Sequence, residues 1–397
     1  MLLMAHANPA RVEGGFLYVD RKFHSGMQEY TKRLEVPIVS LHPYLPPAED
    51  PTVMDLVCVP VAELGYRVET LEGGPSPWRA TPPVERKLSE WVQKSHAVYG
   101  GGRVLSALAR RASVPTVALL EYNVKTMLVF ATDKREPAWK QAIAQARALR
   151  YYARDIVPTM RSATMLHCNG YPIFEESRWF NEARLLYLDS RMSQNLLIPQ
   201  PALQERLAKR NARTPRLIYS GRFEPGKGAL DVVLTAKECA ANGLEFSLDL
   251  YGQGSQRAAM VDVVERFGLG GFVKIHDVIP YPELVQRTRA SDIFVCCHVQ
   301  DDPSCTYLET MGSGVPIAGY ANAMWAAMSR DSRAGVVAPL GDTKALARSI
   351  AALCRDASQL DALSLRARAF AEQHTFEAEF SRRTDSLREI MARSRAA

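Results

Sequence analysis

Short apolar runs alternate with helical patterns along the whole chain. In the first half, runs rich in branched and aromatic residues predict strands at Leu2–His6, Gly15–Asp20, Pro37–Leu41, Tyr66–Leu71, Ala97–Gly100 and Thr116–Leu120. Ala163–His167 and Leu185–Leu188 read as further short strands, and Pro83–Gln93 and Leu105–Arg111 carry a helical period between strands. Strands separated by helices build parallel sheets, because a parallel neighbour needs a crossover. The polar, basic, proline-flanked stretch Ile198–Pro215 reads as a linker. The alternation then restarts, with strands at Leu217–Ser220, Phe246–Tyr251, Val273–His276, Ile293–Cys296 and Pro316–Ala318. Helices are predicted at Ala229–Ala241, stopped by Gly243, at Gln256–Phe267, and at Lys344–Cys354 behind the capping residues Asp342 and Thr343. The pattern predicts two Rossmann-like α/β halves of roughly two hundred residues each, with a cleft between such halves the default place for a ligand.

Composition narrows the class without naming a chemistry. The 397 residues are 47% apolar and 23% charged, which excludes a disordered, collagenous or fibrous chain. Forty-nine basic against 43 acidic residues leave +6, too mild an excess to argue nucleic-acid binding. Seven cysteines without a Cys-x-x-Cys pair make neither a disulfide framework nor a zinc site, and fit a reducing compartment. No run of about eighteen apolar residues predicts a membrane span, and the opening MLLMAHANPARVEGG reads as a buried first strand rather than a signal peptide. The expected location is the cytoplasm.

Candidate chemistry concentrates after residue 215. Gly221-Arg222-Phe223-Glu224-Pro225-Gly226-Lys227-Gly228 lies between a strand and a helix. Glycines let backbone amides approach an anion, the guanidinium can grip a phosphate with two bonds, and the lysine adds a mobile point charge. A tight turn with two solvated cations is the plain alternative. Gly228 stands where a Walker loop needs a hydroxyl, so this is not one. Tyr251-Gly252-Gln253-Gly254-Ser255-Gln256-Arg257 begins like a dinucleotide fingerprint, but Arg257 replaces its third glycine, which argues against an NAD enzyme. In the run from Cys296 to Pro316, carboxylates at Asp301 and Asp302 follow a strand, a short helix opens near Ser304, and Glu309 lies inside that helix, eight residues after Asp301.

Gly-Arg-x-x-Pro-x-Lys-Gly, a strand ending in Gly-x-Gly, Ala-Ser-Asp-Ile-Phe-Val, and acidic-x7-Glu-x-Met-x-x-Gly-x-Pro follow in this order, and the set resembles the retaining GT-B glycosyltransferases of family GT4. The resemblance is strong over residues 215–375 and looser before them. It implies a GT-B fold: two Rossmann-like domains facing across a cleft, an acceptor domain at 1–205, a donor domain at 206–375, and a closing helix at 376–397 that crosses back to the first domain. It implies that Arg222 and Lys227 neutralise the donor diphosphate as it leaves, with Gly221 in the same loop. Glu309 would hydrogen-bond ribose hydroxyls, and Asp301, one methylene short of the family's glutamate, would contact the donor sugar with Asp302 sharing or taking that role. Ser304, Cys305 and Thr306 match the family's phosphate-binding helix start, Val278 and Ile279 the base-recognising backbone, and Gly252 and Gly254 would leave room for the nucleotide. No Asp-x-Asp triplet appears, so no metal and no cofactor is expected, the nucleoside diphosphate sugar being a co-substrate.

The first half should carry the acceptor. The family's Gly-Gly turn after the first strand has two candidates, Gly14-Gly15 and, fitting better, Gly26 within His24-Ser25-Gly26-Met27-Gln28-Glu29-Tyr30. Glu121 stands where many members have a histidine, and with His24 is a candidate on the sugar or acceptor side; His167 and His298 are alternative site histidines. Trp139–Arg154 predicts a helix on which Lys140, Arg147, Arg150 and Arg154 share one side, and 133–161 holds seven basic and three acidic residues. That stripe can lie on anionic lipid at the inner face of the plasma membrane or face a lipid-pyrophosphate acceptor. The implied function is metal-independent, retaining transfer of a sugar from a UDP- or GDP-linked donor to a glycan or lipid-linked glycan, in bacterial surface or exported polysaccharide synthesis. The rivals are a silent nucleotide-sugar-binding partner protein, and an epimerase or phosphorylase of the same fold.

Overall fold

The computed structural model describes residues 1–46, 56–71, 81–132, 136–210 and 214–396. The chain divides into two compact units, one of Met1–Tyr187 with Glu379–Ala397 and one of Leu188–Ala378. The divisions read from the sequence were 205/206 and 375/376.

The first unit holds strands β1 (Leu2–Ala5), β2 (Arg11–Glu13), β3 (Phe16–Asp20), β4 (Ile38–Pro43), β5 (Leu56–Pro60), β6 (Arg67–Leu71), β7 (Ala97–Gly100), β8 (Thr116–Leu120), β9 (Met165–Asn169) and β10 (Arg184–Tyr187). Seven of them form a parallel sheet in the order β10-β9-β8-β7-β1-β4-β6. Helices cover both faces of such a sheet, so its strands read as unbroken apolar runs. Leu3, Val39, Leu41 and Val98 pack with Leu88, Val92 and Leu105, while Ala118, Leu120, Leu166 and Cys168 pack with Met160 and Ile173.

The run Gly15–Asp20 is a strand but belongs to no parallel sheet. As β3 it pairs antiparallel with β2 and β5 in a separate three-stranded sheet. Gly14 (φ 58°) and Gly15 (φ 83°) form the two-residue loop of the β2–β3 hairpin, a turn that requires positive φ at both positions. Gly26 is not in a turn. It lies inside the helix Arg21–Arg33, whose amino end Asp20 caps through Phe23, and a Cβ there would sit 3.0 Å from the Phe380 ring. The helix Phe376–Ala396 ends the chain. In the first unit, Phe380 packs edge-on against Tyr30, Arg383 lies over Phe380 and Tyr187, and the Ser386 hydroxyl is 2.7 Å from His167 Nε2. His167 is therefore a buried packing residue, its pKa pushed down to about 3 by burial and then by the Arg383 charge.

The second unit holds β11 (Arg216–Ser220), β12 (Ser247–Tyr251), β13 (Val273–His276), β14 (Ile293–Cys296), β15 (Ile317–Tyr320) and β16 (Gly335–Ala338), all parallel in the order β13-β12-β11-β14-β15-β16. Strand order reverses between β11 and β14, so the carboxyl ends of these two strands flank the crevice where Rossmann-like sheets take ligands. The supposed linker Ile198–Pro215 contains a helix, Gln200–Lys209. It packs through polar side chains: Arg206 donates to the carbonyls of Arg289, Ser313 and Gly314, and the buried Arg210 at its end pairs with Asp292 and Asp361.

Candidate active site

Two loops meet at the β11/β14 crevice. After β11 the chain runs through Gly221 and Arg222, buries Phe223 completely, and makes a short 3-10 turn at Pro225–Lys227 before the helix Ala229–Ala241. The buried Tyr219 hydroxyl donates to the carbonyl of Arg222 at 3.1 Å and to that of Lys227 at 3.5 Å, which pins both ends of the cationic segment. Gly228 enters the helix with φ 61°, and a Cβ there would fall 1.9 Å from the Cys297 carbonyl oxygen after β14. Only glycine serves, on both counts.

The loop after β12 closes on this one. Phe223 N donates to the Gln253 carbonyl, Gln256 N donates to the Phe223 carbonyl, and Ser255 donates to the Glu224 carboxylate through its amide (3.0 Å) and its hydroxyl (2.6 Å). A Cβ on Gly252 would lie 2.0 Å from the Gly221 carbonyl oxygen, and one on Gly254 2.5 Å from that of Phe223. These two glycines let one loop approach the other; the room they leave is taken by backbone rather than open to a nucleotide.

The cations and carboxylates then meet. Lys227 is buried, with Nζ 2.7 Å from Asp302 Oδ2. Asp302 Oδ1 is buried and has no hydrogen-bond partner. Arg222 is exposed, and its charge and that of Lys227 both act on the fully buried His298, whose pKa is depressed first by burial and then by these two cations. Arg222, Lys227, Asp302 and His298 therefore share one locality. His298 itself faces the Tyr307 hydroxyl at 3.4 Å, so it is a neutral core residue next to the site. Asp301 turns elsewhere: its Oδ1 accepts from Ala323 N at 2.6 Å, at the start of the helix Ala323–Ser332. Ser304, Cys305 and Thr306 are half-buried at the opening of the helix Thr306–Gly312.

Glu309 is buried in that helix and is gripped by a residue absent from the sequence reading. Arg191 Nε lies 2.8 Å from Oε1 and Nη2 3.4 Å from Oε2. The guanidinium also stacks 4.5 Å above the Tyr281 ring, and burial against Glu309 and Cys305 pushes the Tyr281 phenol above its usual range. Tyr281 opens a helix, Tyr281–Arg289, directly behind Val278, which is 61% exposed, and the half-buried Ile279. Arg191 belongs to no motif; a lone arginine in a loop gives no sequence signal.

The first-unit candidates have their own surroundings. His24 is half-buried early in the helix Arg21–Arg33, its Nδ1 buried without a hydrogen-bond partner and its pKa lowered by burial. Glu121 is exposed just beyond β8, before the helix Val124–Phe130 that Asn123 caps. The helix Ala138–Tyr151 buries none of its residues. Trp139 is 63% exposed and, with Ile143, faces outward on the side that carries Arg147, Arg150 and Arg154. Among the described residues no helix is long and apolar enough to cross a membrane.

The chain is similar to known proteins in part of its sequence and in its fold. Residues 214–356 match the family described as Glycosyl transferases group 1. A stretch of 124 residues is 30% identical to 2-deoxystreptamine glucosyltransferase of Streptomyces kanamyceticus; it covers 30% of this chain and 32% of that protein, so the match spans about a third of the relative. The fold is shared over nearly the whole chain with HepE of Anabaena in complex with UDP (TM-score 0.66, 13% identity, 98% and 99% of the two chains). It is likewise shared with sucrose-phosphate synthase of Thermosynechococcus elongatus (TM-score 0.63, 16% identity, 98% and 99%).

Proposed function

We propose that this chain, a GT-B fold whose residues 214–356 are of the glycosyl transferases group 1 kind, moves a sugar from a nucleoside diphosphate donor to a glycan or lipid-linked glycan. Retention of configuration, a donor site that works without a metal, and a place in surface or exported polysaccharide synthesis complete the reading. The observation that carries it is the gathering of Arg222, Lys227 and Asp302 on two loops at the carboxyl ends of β11 and β14, with Glu309 on the helix that follows. Likenesses to HepE in complex with UDP and with UDP-glucose, and to a named glucosyltransferase, support a UDP-linked donor.

In this reading the bond from the sugar carbon to the diphosphate oxygen breaks while the acceptor oxygen bonds to the same face of that carbon. The acceptor's proton passes to the departing diphosphate. Negative charge grows on that diphosphate, and Arg222 and Lys227 are placed to stabilise it; one such contact is worth about 3 kcal/mol. Asp302, with an unengaged buried oxygen, holds the donor sugar, the part first assigned to Asp301. Glu309 accepts from the ribose hydroxyls, and Val278 and Ile279 lie beside the base. Glu121 and His24 serve the acceptor side. The outward face of the helix Ala138–Tyr151, aromatic and basic together, rests on anionic lipid and keeps a soluble enzyme at the cytoplasmic face.

A second reading, donor binding without turnover, is favoured by the engagement of Asp301 with the helix start at Ala323. A thermal-shift panel of nucleotides and nucleotide sugars, followed by a donor-turnover assay, decides. A ligand at a hundred times its dissociation constant adds about 2.7 kcal/mol of stability. Turnover supports transfer, tight binding without turnover supports the second reading, and no binding to any of the panel sinks both.

A further inference from the structure

We propose that Arg191 is a positioning residue that makes the nucleoside site read the ribose, by holding Glu309 with both carboxylate oxygens aimed and by standing on Tyr281 at the edge of the base segment. The inference rests on the reading of the site as a nucleoside diphosphate site.

The geometry is specific. Glu309 is buried on the helix Thr306–Gly312, and the Arg191 fork meets both of its oxygens, Nε at 2.8 Å and Nη2 at 3.4 Å. A fork-on-carboxylate pair fixes the plane of the carboxylate as well as its place. Each oxygen retains a lone pair for another donor, so a carboxylate held this way still accepts from two vicinal hydroxyls. The charged and titratable groups facing the pair are Tyr281 and Cys305, and neither brings a second cation. Without Arg191 the buried carboxylate would lose both its charge partner and its orientation.

The arginine is fixed in turn by its neighbours in the chain. Met192 N donates to the Ser190 hydroxyl at 2.9 Å, the Met192 carbonyl accepts from Phe376 N, and the Met192 side chain packs on Gly312, where a Cβ would come within 2.5 Å of it. Arg191 therefore reaches its target from a pinned backbone. Its guanidinium lies 4.5 Å over the Tyr281 ring, and the Tyr281 hydroxyl is buried without a hydrogen-bond partner. Tyr281 stands two residues after Ile279. One side chain thus touches the ribose-binding carboxylate and the first residue of the helix behind the base segment. Lysine at 191 would keep the charge and lose both the fork and the stack.

The test compares wild type with Arg191→Ala, Arg191→Lys and Tyr281→Leu. Calorimetry would measure binding of UDP, GDP and ADP and of their 2′-deoxy counterparts. Wild type should prefer the ribose form of its nucleotide by about tenfold or more, the worth of a hydrogen bond to a charged group. Arg191→Ala should bring that ratio close to one while KM for the donor rises more than kcat falls. Arg191→Lys should recover less than half of the preference on a logarithmic scale, and Tyr281→Leu should reduce it partway. Arg191 is 47% exposed, so its truncation should leave a folded chain, checked by thermal unfolding. A variant that weakens both nucleotide forms equally, keeping the wild-type ratio, overturns the inference and leaves the function reading standing. A wild type that binds none of the six nucleotides overturns the function reading itself.

Discussion

The two units build the same crevice and furnish it oppositely. In each, the order of a parallel sheet reverses at one point: between β1 and β7 in the first unit, between β11 and β14 in the second. At the second crevice stand a buried lysine, a buried aspartate and an exposed arginine. Just past β1 stands His6, buried, stacked on His42 at 5.1 Å and edge-on to Phe23 at 4.6 Å. Burial, with the neighbouring His42 adding to it, holds the His6 imidazole neutral, and burial pushes His42 down to about 4. His42 Nδ1 faces the Asn8 carbonyl at 3.0 Å and so carries the proton, leaving Nε2 to accept from the Ser40 hydroxyl at 2.8 Å. Topology alone therefore sets where a ligand goes, and side-chain charge sets which kind. In the proposed reading the charged crevice takes the diphosphate, and a neutral, aromatic one would favour uncharged groups.

The largest effect is expected at Lys227. Lys227→Ala should lower kcat/KM for transfer about a hundredfold or more, whereas His6→Ala should lower it less than tenfold. Steady-state kinetics on the two purified variants would show it, and equal losses would erase the distinction. Lys227→Ala also strands Asp302, and adding Asp302→Asn should restore melting temperature without restoring activity.

The next effect is a stability one. His42 is protonated in the unfolded chain below about pH 6.5 but stays neutral in the fold down to about 4, so its burial costs nothing at pH 8 and destabilises as pH falls through this window. The penalty at pH 4.5 is on the order of 2 to 3 kcal/mol. Denaturant unfolding of wild type and His42→Asn at both pH values should show the gap between the two proteins narrowing by that amount at acid pH. A constant gap would mean that the imidazole titrates in the fold.

The smallest effect concerns the exposed face of the helix Ala138–Tyr151 in the first unit. Each basic residue near an anionic bilayer contributes about 1 kcal/mol, so Arg150→Glu should weaken co-sedimentation with phosphatidylserine vesicles roughly fivefold or more, and Trp139→Ala, which removes an exposed indole, should weaken it too. Unchanged sedimentation, or none by wild type, removes lipid from the reading.

Strands and charged motifs were more legible in the sequence than the contacts that hold them. Parallel strands covered on both faces are mostly apolar, so Ala97–Gly100, Thr116–Leu120 and Ile293–Cys296 were readable to the residue. β2 and β5 are short and half-exposed, without a buried run to mark them, and β16 buries only Ala338. The helix Gln200–Lys209 buries only Leu203 and packs through arginines, so its period looked like a linker. Arg222, Lys227, Asp302 and Glu309 stood out as charged residues within ordered motifs, and the structure brings Lys227 and Asp302 together. Arg191 and Tyr219 escaped because a carboxylate's partner or a loop's anchor can come from anywhere in the chain. Gly26 looked like a turn by type, although its neighbours formed a helix into which Phe380 packs.

The helix Phe376–Ala396 carries one more consequence. The first unit is made of the first 187 residues and the last nineteen, while the second unit is a single unbroken stretch. During synthesis the second unit can finish folding as soon as it leaves the ribosome. The first, although made earlier, lacks Phe380, Arg383 and Ser386 until residues 379–397 are made, so a chain cut before residue 379 would damage the portion that was translated first.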